Sequence, residues 1–417
     1  MKYYLILISS LFIPQMLWAM ADTKTEEQYI ILMMPRSKNI NEANFMQVMN
    51  NFQGPPQARV KVGLAFIFSY LRNDVNELSD SLKSILLNSE KTNTPVWIKF
   101  DGEQWWQNRP DLWNWWDPNK PGYDPNNRTN VEWRWWGPEY ALKICWRNWG
   151  KQLRVLPPTN LMSPKYRKAC HQSMDVLMPI ILNWYKTLPE DKKYLFAGLN
   201  LGWESAIGIN SFYYPNGDQF MDKPKSEDPQ SGAIKEDVLS RGVVQQGFAA
   251  VKTAGIRDSG DITEEDLYKV VKIHLDDLSK YAYDFGFPRE KIFTHGWGNQ
   301  NAELMYDAAV NKYSCPGWSD YWYSKNPAEN AGIMRNVEKS DAPYWAMAEW
   351  NLLPHEKKIW KDAISTILNL PGCKVMCVYG WKGKADKKQV IEAIHELVVE
   401  SATPFKEEIN NKSKVLE

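Results

Sequence analysis

The chain has 417 residues, 44% of them hydrophobic, with 50 basic and 50 acidic side chains and a formal net charge of zero. That balance excludes a protein held to nucleic acid by a basic surface, and the apolar content excludes a disordered chain. The length fits two or three ordinary domains or one large α/β barrel. The unusual count is tryptophan: 21 in all, eleven of them between Trp97 and Trp149.

In chain order, Met1-Lys2 precedes an apolar run over residues 3–18 and the small-residue site Ala19-Met20-Ala21. These are the three parts of a secretory signal peptide. Residues 1–21 are expected to be removed, leaving residues 22–417 as one exported domain, secreted or periplasmic, without a membrane anchor. Residues 59–70 read as a first strand and residues 73–88 as a helix with Leu78, Leu82 and Ile85 on one face. Residues 95–100 form a second strand, followed by a Trp-rich insertion over residues 105–149. Residues 152–156 read as a third strand, and residues 163–188 as a helix opened by Ser163-Pro164. A fourth strand covers residues 194–201, and a Gly/Asn/Asp-rich excursion covers residues 208–242. Residues 263–285 are helical. The fifth strand is residues 291–294 and the sixth lies within residues 315–323. A helix over residues 326–339 leads to the seventh strand at residues 343–348. Residues 354–370 are helical, residues 374–379 are the eighth strand, and residues 386–401 are the closing helix.

Eight strands, most followed by helices, predict an α/β fold of the (β/α)8 TIM barrel type over about residues 59–400, with the insertion after strand 2. Runs apolar on both faces suit a parallel sheet. A doubly wound open sheet is the alternative, but neither G-x-G-x-x-G nor G-x-x-x-x-G-K-[ST] is present.

The five cysteines, Cys145, Cys170, Cys315, Cys373 and Cys377, are odd in number. Cys373 and Cys377 would lie ~13 Å apart on one strand, beyond the roughly 7 Å Cα separation a disulfide tolerates. Small core thiols are expected.

In such barrels the chemistry sits at the C-terminal strand ends. There the sequence places Asp101, Glu103 and Trp105; Asn160; Asn200, Trp203 and Glu204; His295 and Trp297; Glu349 and Trp350; and Trp381. Carboxylates, amides and indoles together suit a sugar. Indoles cover its flat C–H faces, amides and carboxylates bond its hydroxyls, and two carboxyl groups can divide the work of glycosidic cleavage. Glu204 and Glu349 each close an apolar strand beside a Trp. They are the candidate catalytic pair, and the other residues are candidate substrate-binding groups.

The segments 195–204 (ending Leu201-Gly202-Trp203-Glu204), 345–350 (Trp345-Ala346-Met347-Ala348-Glu349-Trp350) and Tyr379-Gly380-Trp381 resemble the retaining glycoside hydrolases of clan A. These are (β/α)8 enzymes with catalytic glutamates after strands four and seven. The resemblance implies Glu204 as acid/base, Glu349 as nucleophile and Trp381 as the floor beneath the cleaved sugar, with a β-linked oligo- or polysaccharide as substrate and no cofactor. The clan usually has Asn before its acid/base, the position that Trp203 occupies in this chain. Either Asn200 or another loop amide makes that contact, or the acid/base lies elsewhere.

The insertion reads as a lid or subsite wall, or alternatively as a self-packed excursion with its own small aromatic core. Asp111, Asp117 and Asp124 lack EF-hand spacing, and no metal site is expected. Asn127-Arg128-Thr129 is a glycosylation acceptor only in a eukaryotic secretory pathway. The competing readings are a non-catalytic carbohydrate-binding barrel and a metal-dependent hydrolase. The latter is disfavoured because the five histidines form neither H-x-H nor H-E-x-x-H. No G-x-S-x-G elbow marks a serine nucleophile.

Overall fold

The computed structural model describes residues 27–34, 41–103, 105–234, 239–298 and 303–402. The signal-peptide reading of residues 1–21 lies outside them. In chain order the elements are β1 (Gln28–Met33), α1 (Glu42–Phe52), β2 (Val60–Ser69), α2 (Val75–Thr92), β3 (Val96–Asp101) and the single turn α3 (Pro110–Trp113). Then come β4 (Cys145–Trp149), β5 (Lys151–Val155), α4 (Pro164–Thr187), β6 (Phe196–Ser205), β7 (Ser211–Phe212), α5 (Phe248–Thr253) and α6 (Glu264–Phe285). The last are β8 (Ile292–Gly296), β9 (Gly317–Asp320), α7 (Ala331–Lys339), β10 (Trp345–Trp350), α8 (Lys357–Asn369), β11 (Cys373–Val378) and α9 (Lys388–Glu400).

Eight of these strands close a parallel barrel in the order β1-β11-β10-β9-β8-β6-β3-β2. The expected barrel is present, with two corrections. Its first strand is β1, so it begins at Gln28 rather than near residue 59. Residues 152–156, expected as its third strand, fall instead on β5 (Lys151–Val155), which pairs antiparallel with β4 in a separate sheet of order β5-β4-β7. The two differences cancel in the count, so the strands expected fourth to eighth keep those places. The insertion over residues 105–149 follows the third barrel strand, not the second.

Side-chain alternation along the strands divides the apolar residues into two layers. Tyr29, Ile31, Ala65, Trp97, Phe293, Ala346 and Cys377 fill the barrel interior. Ile30, Leu64, Phe66, Ile98, Leu199 and Met347 face the helical shell. Helix starts follow the sequence signals. The Ser163 hydroxyl accepts from the Tyr166 N–H at the head of α4, and Thr263 and Asp266 cap α6 reciprocally. All five cysteines are unpaired and buried. Among the described residues no helix is long and apolar enough to cross a membrane.

The insertion after β3 and the excursion after β6 pack on each other. Leu142, Ile144, Trp146, Tyr213 and Tyr214 form a small separate core, and β4 pairs with β7 through Trp146–Phe212 and Arg147–Ser211. Several of the insertion's indoles are tied to backbone carbonyls. Nε1 of Trp106 donates to Pro157 O, that of Trp113 to Trp106 O, that of Trp115 to Leu142 O and that of Trp133 to Arg128 O. For Trp113, Trp115 and Trp133, whose acceptors lie within the insertion, the self-packed alternative describes what is found.

Candidate active site

β6 and β10 carry the two candidate carboxylates to one end of the barrel. Both strands break regular geometry to do so. The pairing of β10 with β9 slips between Met347 and Glu349, after which Glu349 meets Lys99 inside the barrel and Trp350 joins the outer layer. On β6 the pairing with β8 slips between Leu201 and Ser205. Gly202 there has φ +81°, and an added Cβ would come within 2.8 Å of Leu275. Glu204 itself sits at φ +49°, a left-handed conformation that costs a non-glycine residue of order 1–3 kcal/mol and clusters at functional sites.

One ligating atom each from Glu204, Glu349 and His295 lie within 4.8 Å of one another. All three residues are buried, yet their electrostatic settings differ. Lys99 reaches across the interior from β3, placing Nζ 3.0 Å from Glu349 Oε1 and 3.2 Å from Ala348 O. The Tyr321 hydroxyl donates to Glu349 Oε2 at 2.6 Å. Glu349 is thus held by a cation and a hydroxyl donor. Glu204 receives the neutral Asn210 amide, Nδ2 to Oε2, at 2.8 Å. Burial first, and then the negative charge of Glu349, push the Glu204 carboxyl well above the ordinary carboxylate range, against the opposing pull of the Ser319 hydroxyl, Lys99 and Arg147. His295 is driven the other way, by burial and by the charge of Lys99, well below its ordinary value, and is neutral. Its Nε2 shares a 2.8 Å hydrogen bond with Ser319 Oγ. Glu204, His295 and Glu349 could offer three ligands to a cation, but the Lys99 ammonium already occupies Glu349 Oε1 and opposes a second positive charge there.

Aromatic rings surround the pair. Trp203 lies over Lys99, with Nζ 6.0 Å from its ring centroid. Trp297 packs on Tyr321 at 6.0 Å, and Tyr321 packs on Tyr379 at 6.1 Å. Tyr379 is 44% exposed and forms the outer edge. Its phenol is raised by burial and by the charges of Glu349 and Glu204.

The other expected residues are placed differently. Trp350 points outward: its ring packs on Trp360 at 5.0 Å and its Nε1 donates to Ser324 O. The slip between Met347 and Glu349 causes this: Ala346 and Ala348 face in, so unbroken alternation would have turned Trp350 in as well. Trp381, expected to floor the sugar site, is buried against Phe52 at the end of α1, and Tyr379 is the strand-eight ring that meets the pair. Asn160 spends its amide on Thr129 O and Thr253 Oγ1 and its Oδ1 on the Met162 N–H, bracing the insertion. Asn200 donates to Thr294 O on β8 and leaves Oδ1 unpaired; the loop amide that meets Glu204 is Asn210. Asp101 accepts from Ser69 Oγ and the Glu103 N–H. Glu103 Oε1 accepts from the Ser205 hydroxyl at 2.6 Å and His274 Nε2 at 2.9 Å. These two acids therefore brace the backbone beside Glu204. Trp105 lies between Arg72 and Trp149, with centroid distances of 4.9 and 5.5 Å. A depression of about 580 Å³ lies elsewhere, lined by Arg167 and His171 of α4 and Tyr281 of α6.

Lys99, Asn210, Ser319, Tyr321 and Tyr379 are site residues that the sequence reading missed. Lys99 had a signal, because it shares the inward parity of Trp97 on the second expected strand.

No protein-family model and no curated protein matches the chain. Among solved structures it is similar to a GH5-4 broad specificity endoglucanase from an uncultured bacterium, at 7% identity and a TM-score of 0.43, over 90% of this chain and 95% of that one. It is also similar to a glycoside hydrolase family 5 enzyme from Prevotella bryantii B14, at 8% identity and a TM-score of 0.42, over 91% and 98%. A third likeness is to a Bacillus subtilis mannanase, at 10% identity and a TM-score of 0.40, over 88% and 85%. The barrel itself rests on this chain's own strand order.

Proposed function

We infer that this chain is an exported glycoside hydrolase that cleaves a β-linked oligo- or polysaccharide by a retaining mechanism, with Glu349 as nucleophile and Glu204 as acid/base. The observation that carries the reading is the pair of buried carboxyl groups, with ligating oxygens within 4.8 Å of each other, in opposite electrical settings. Retaining enzymes hold the two groups about 5–5.5 Å apart and inverting enzymes about 6.5–9.5 Å apart, so the pair favours the retaining course. Glu349, held by Lys99 and Tyr321, attacks the anomeric carbon. Glu204, kept protonated by burial, gives its proton to the leaving oxygen. The same Glu204, now a carboxylate, takes a proton from the water that releases the sugar. Asn210 and Tyr321 orient the two carboxyl groups, and Trp203, Trp297 and Tyr379 supply apolar surface for the sugar. Export rests on the leader pattern of residues 1–21.

A panel of β-linked glycans, followed by trapping with a fluorinated glycoside and peptide mapping, tests the assignment. The expected label is on Glu349. Label on any other residue overturns both catalytic roles. Binding of glycans with no hydrolysis of any of them would make the protein a carbohydrate-binding barrel.

A further inference from the structure

Beside Glu204, between the insertion and the loop that follows β6, lies a cavity of about 30 Å³ lined by Glu103, Glu132, Arg147, Gly208 and Ser211, among others. That volume admits about two oxygen-sized centres. Two of its walls carry buried polar groups without partners. Arg147 is 7% exposed and its side chain makes no hydrogen bond among the described residues; its Nε is fully buried and unpaired. Glu132 is 1% exposed. Its Oε2 accepts from the backbone N–H groups of Trp133, Gly247 and Ala249, while Oε1 has no partner. A guanidinium stays charged at any pH the protein meets, and burying it unpaired is costly. The fork of N–H groups it presents fits a carboxylate or sulfate.

The cavity is tied to the acid/base rather than to the nucleophile. Arg147 is the register partner of Ser211, the Asn148 N–H donates to Asn210 O, and the Asn210 side chain donates to Glu204. The group that Glu204 protonates is the leaving sugar. We propose that this cavity receives a carboxylate or sulfate substituent on the sugar at the leaving-group side, which makes the substrate an acidic glycan. Arg147 binds the anion through its guanidinium. Burial lifts the Glu132 carboxyl to about 8, so at neutral pH Glu132 does not cancel the arginine, and with Oε2 occupied by backbone donors its proton points from Oε1 into the cavity. Glu103, the other lining acid, has its Oε1 engaged by His274 and Ser205.

This inference names the substrate of the hydrolase proposed above and rests on that reading for its place at the leaving group. The test compares wild-type kcat/KM on disaccharides whose reducing-side sugar is a uronic acid, its carboxyl-reduced equivalent or a sulfated equivalent. Titration calorimetry with glucuronate, galacturonate, glucose and inorganic sulfate accompanies it. The expected result is a preference on the order of 10- to 100-fold for an anionic sugar over the neutral one, lost in Arg147→Gln and partly restored in Arg147→Lys. Whether uronate or sulfate is favoured identifies the anion. Equal turnover and equal binding of acidic and neutral sugars by wild type, a comparison that needs no variant, overturns the inference while leaving the hydrolase standing. Arg147-dependent uronate binding with no hydrolysis of any glycan supports the anion site and overturns the hydrolase.

Discussion

The barrel mouth and the insertion are both rich in aromatic rings, yet they use them differently. In the insertion Trp113 and Trp115 pack on Trp116, and Nε1 of Trp113, Trp115 and Trp133 is bonded to carbonyls of the insertion itself. At the mouth the rings of Trp203, Trp297, Tyr321 and Tyr379 instead gather about two carboxyl groups and a lysine. Among the described residues Trp297 Nε1 is buried without a partner, as is Trp116 Nε1 in the insertion. A high local density of tryptophan therefore marks a folding unit in one place and the proposed reactive surface in the other. What separates them is the company of ionisable groups, not the ring count.

Substitutions should divide along that line. The largest effect is expected for Glu349→Gln, which removes the proposed nucleophile. Turnover per folded molecule should fall by at least about 10⁴-fold, and turnover close to wild type would end the distinction drawn for the mouth. Glu204→Gln should cost about 10²–10⁴-fold, least for substrates with good leaving groups. In wild type the acid step needs Glu204 protonated and its carboxyl is raised, so kcat/KM should fall on the alkaline side only above the ordinary carboxylate range; a pH profile of the variant should lack that limb. Trp106→Ala removes a ring 1% exposed in the insertion. It should cost about 3–5 kcal/mol in denaturant unfolding while leaving kcat of the folded fraction unchanged, and a selective loss of kcat would show that this ring, packed on Tyr166 of α4, is not merely structural. Tyr379→Ala should be the mildest: its ring is 44% exposed, so stability should move by no more than about 0.5 kcal/mol, while KM rises a few-fold as one sugar contact is lost.

The barrel was legible wherever strands are apolar on both faces, as in residues 345–348. The error at residues 152–156 has a physical cause. Gln152-Leu153-Arg154-Val155 alternates, which is the mark of a half-exposed antiparallel strand, and β5 is one. β1 escaped notice because Tyr29 to Met33 follows closely on the expected leader, although the run is as apolar as any true barrel strand. The two glutamates could be read from strand ends. Their neighbours in sequence could not serve as neighbours in space: Trp350 is adjacent to Glu349 yet lies on the opposite face. Asn210 and Tyr321 come from an excursion and from the weakest strand, where no periodicity points a side chain anywhere.

The link between β4 and the segment just after Glu204 bears on how such a protein can diversify. The proposed nucleophile and its lysine belong to the barrel wall, but the proposed acid/base takes its amide partner from Asn210, in a loop pinned by Asn148 of the insertion. Exchanging the two excursions for others would alter leaving-group preference and the alkaline limb of activity together. The covalent half of the reaction would pass unchanged from parent to descendant. New specificity is then reachable by recombining a surface module, without a lineage having to rebuild the centre of its fold.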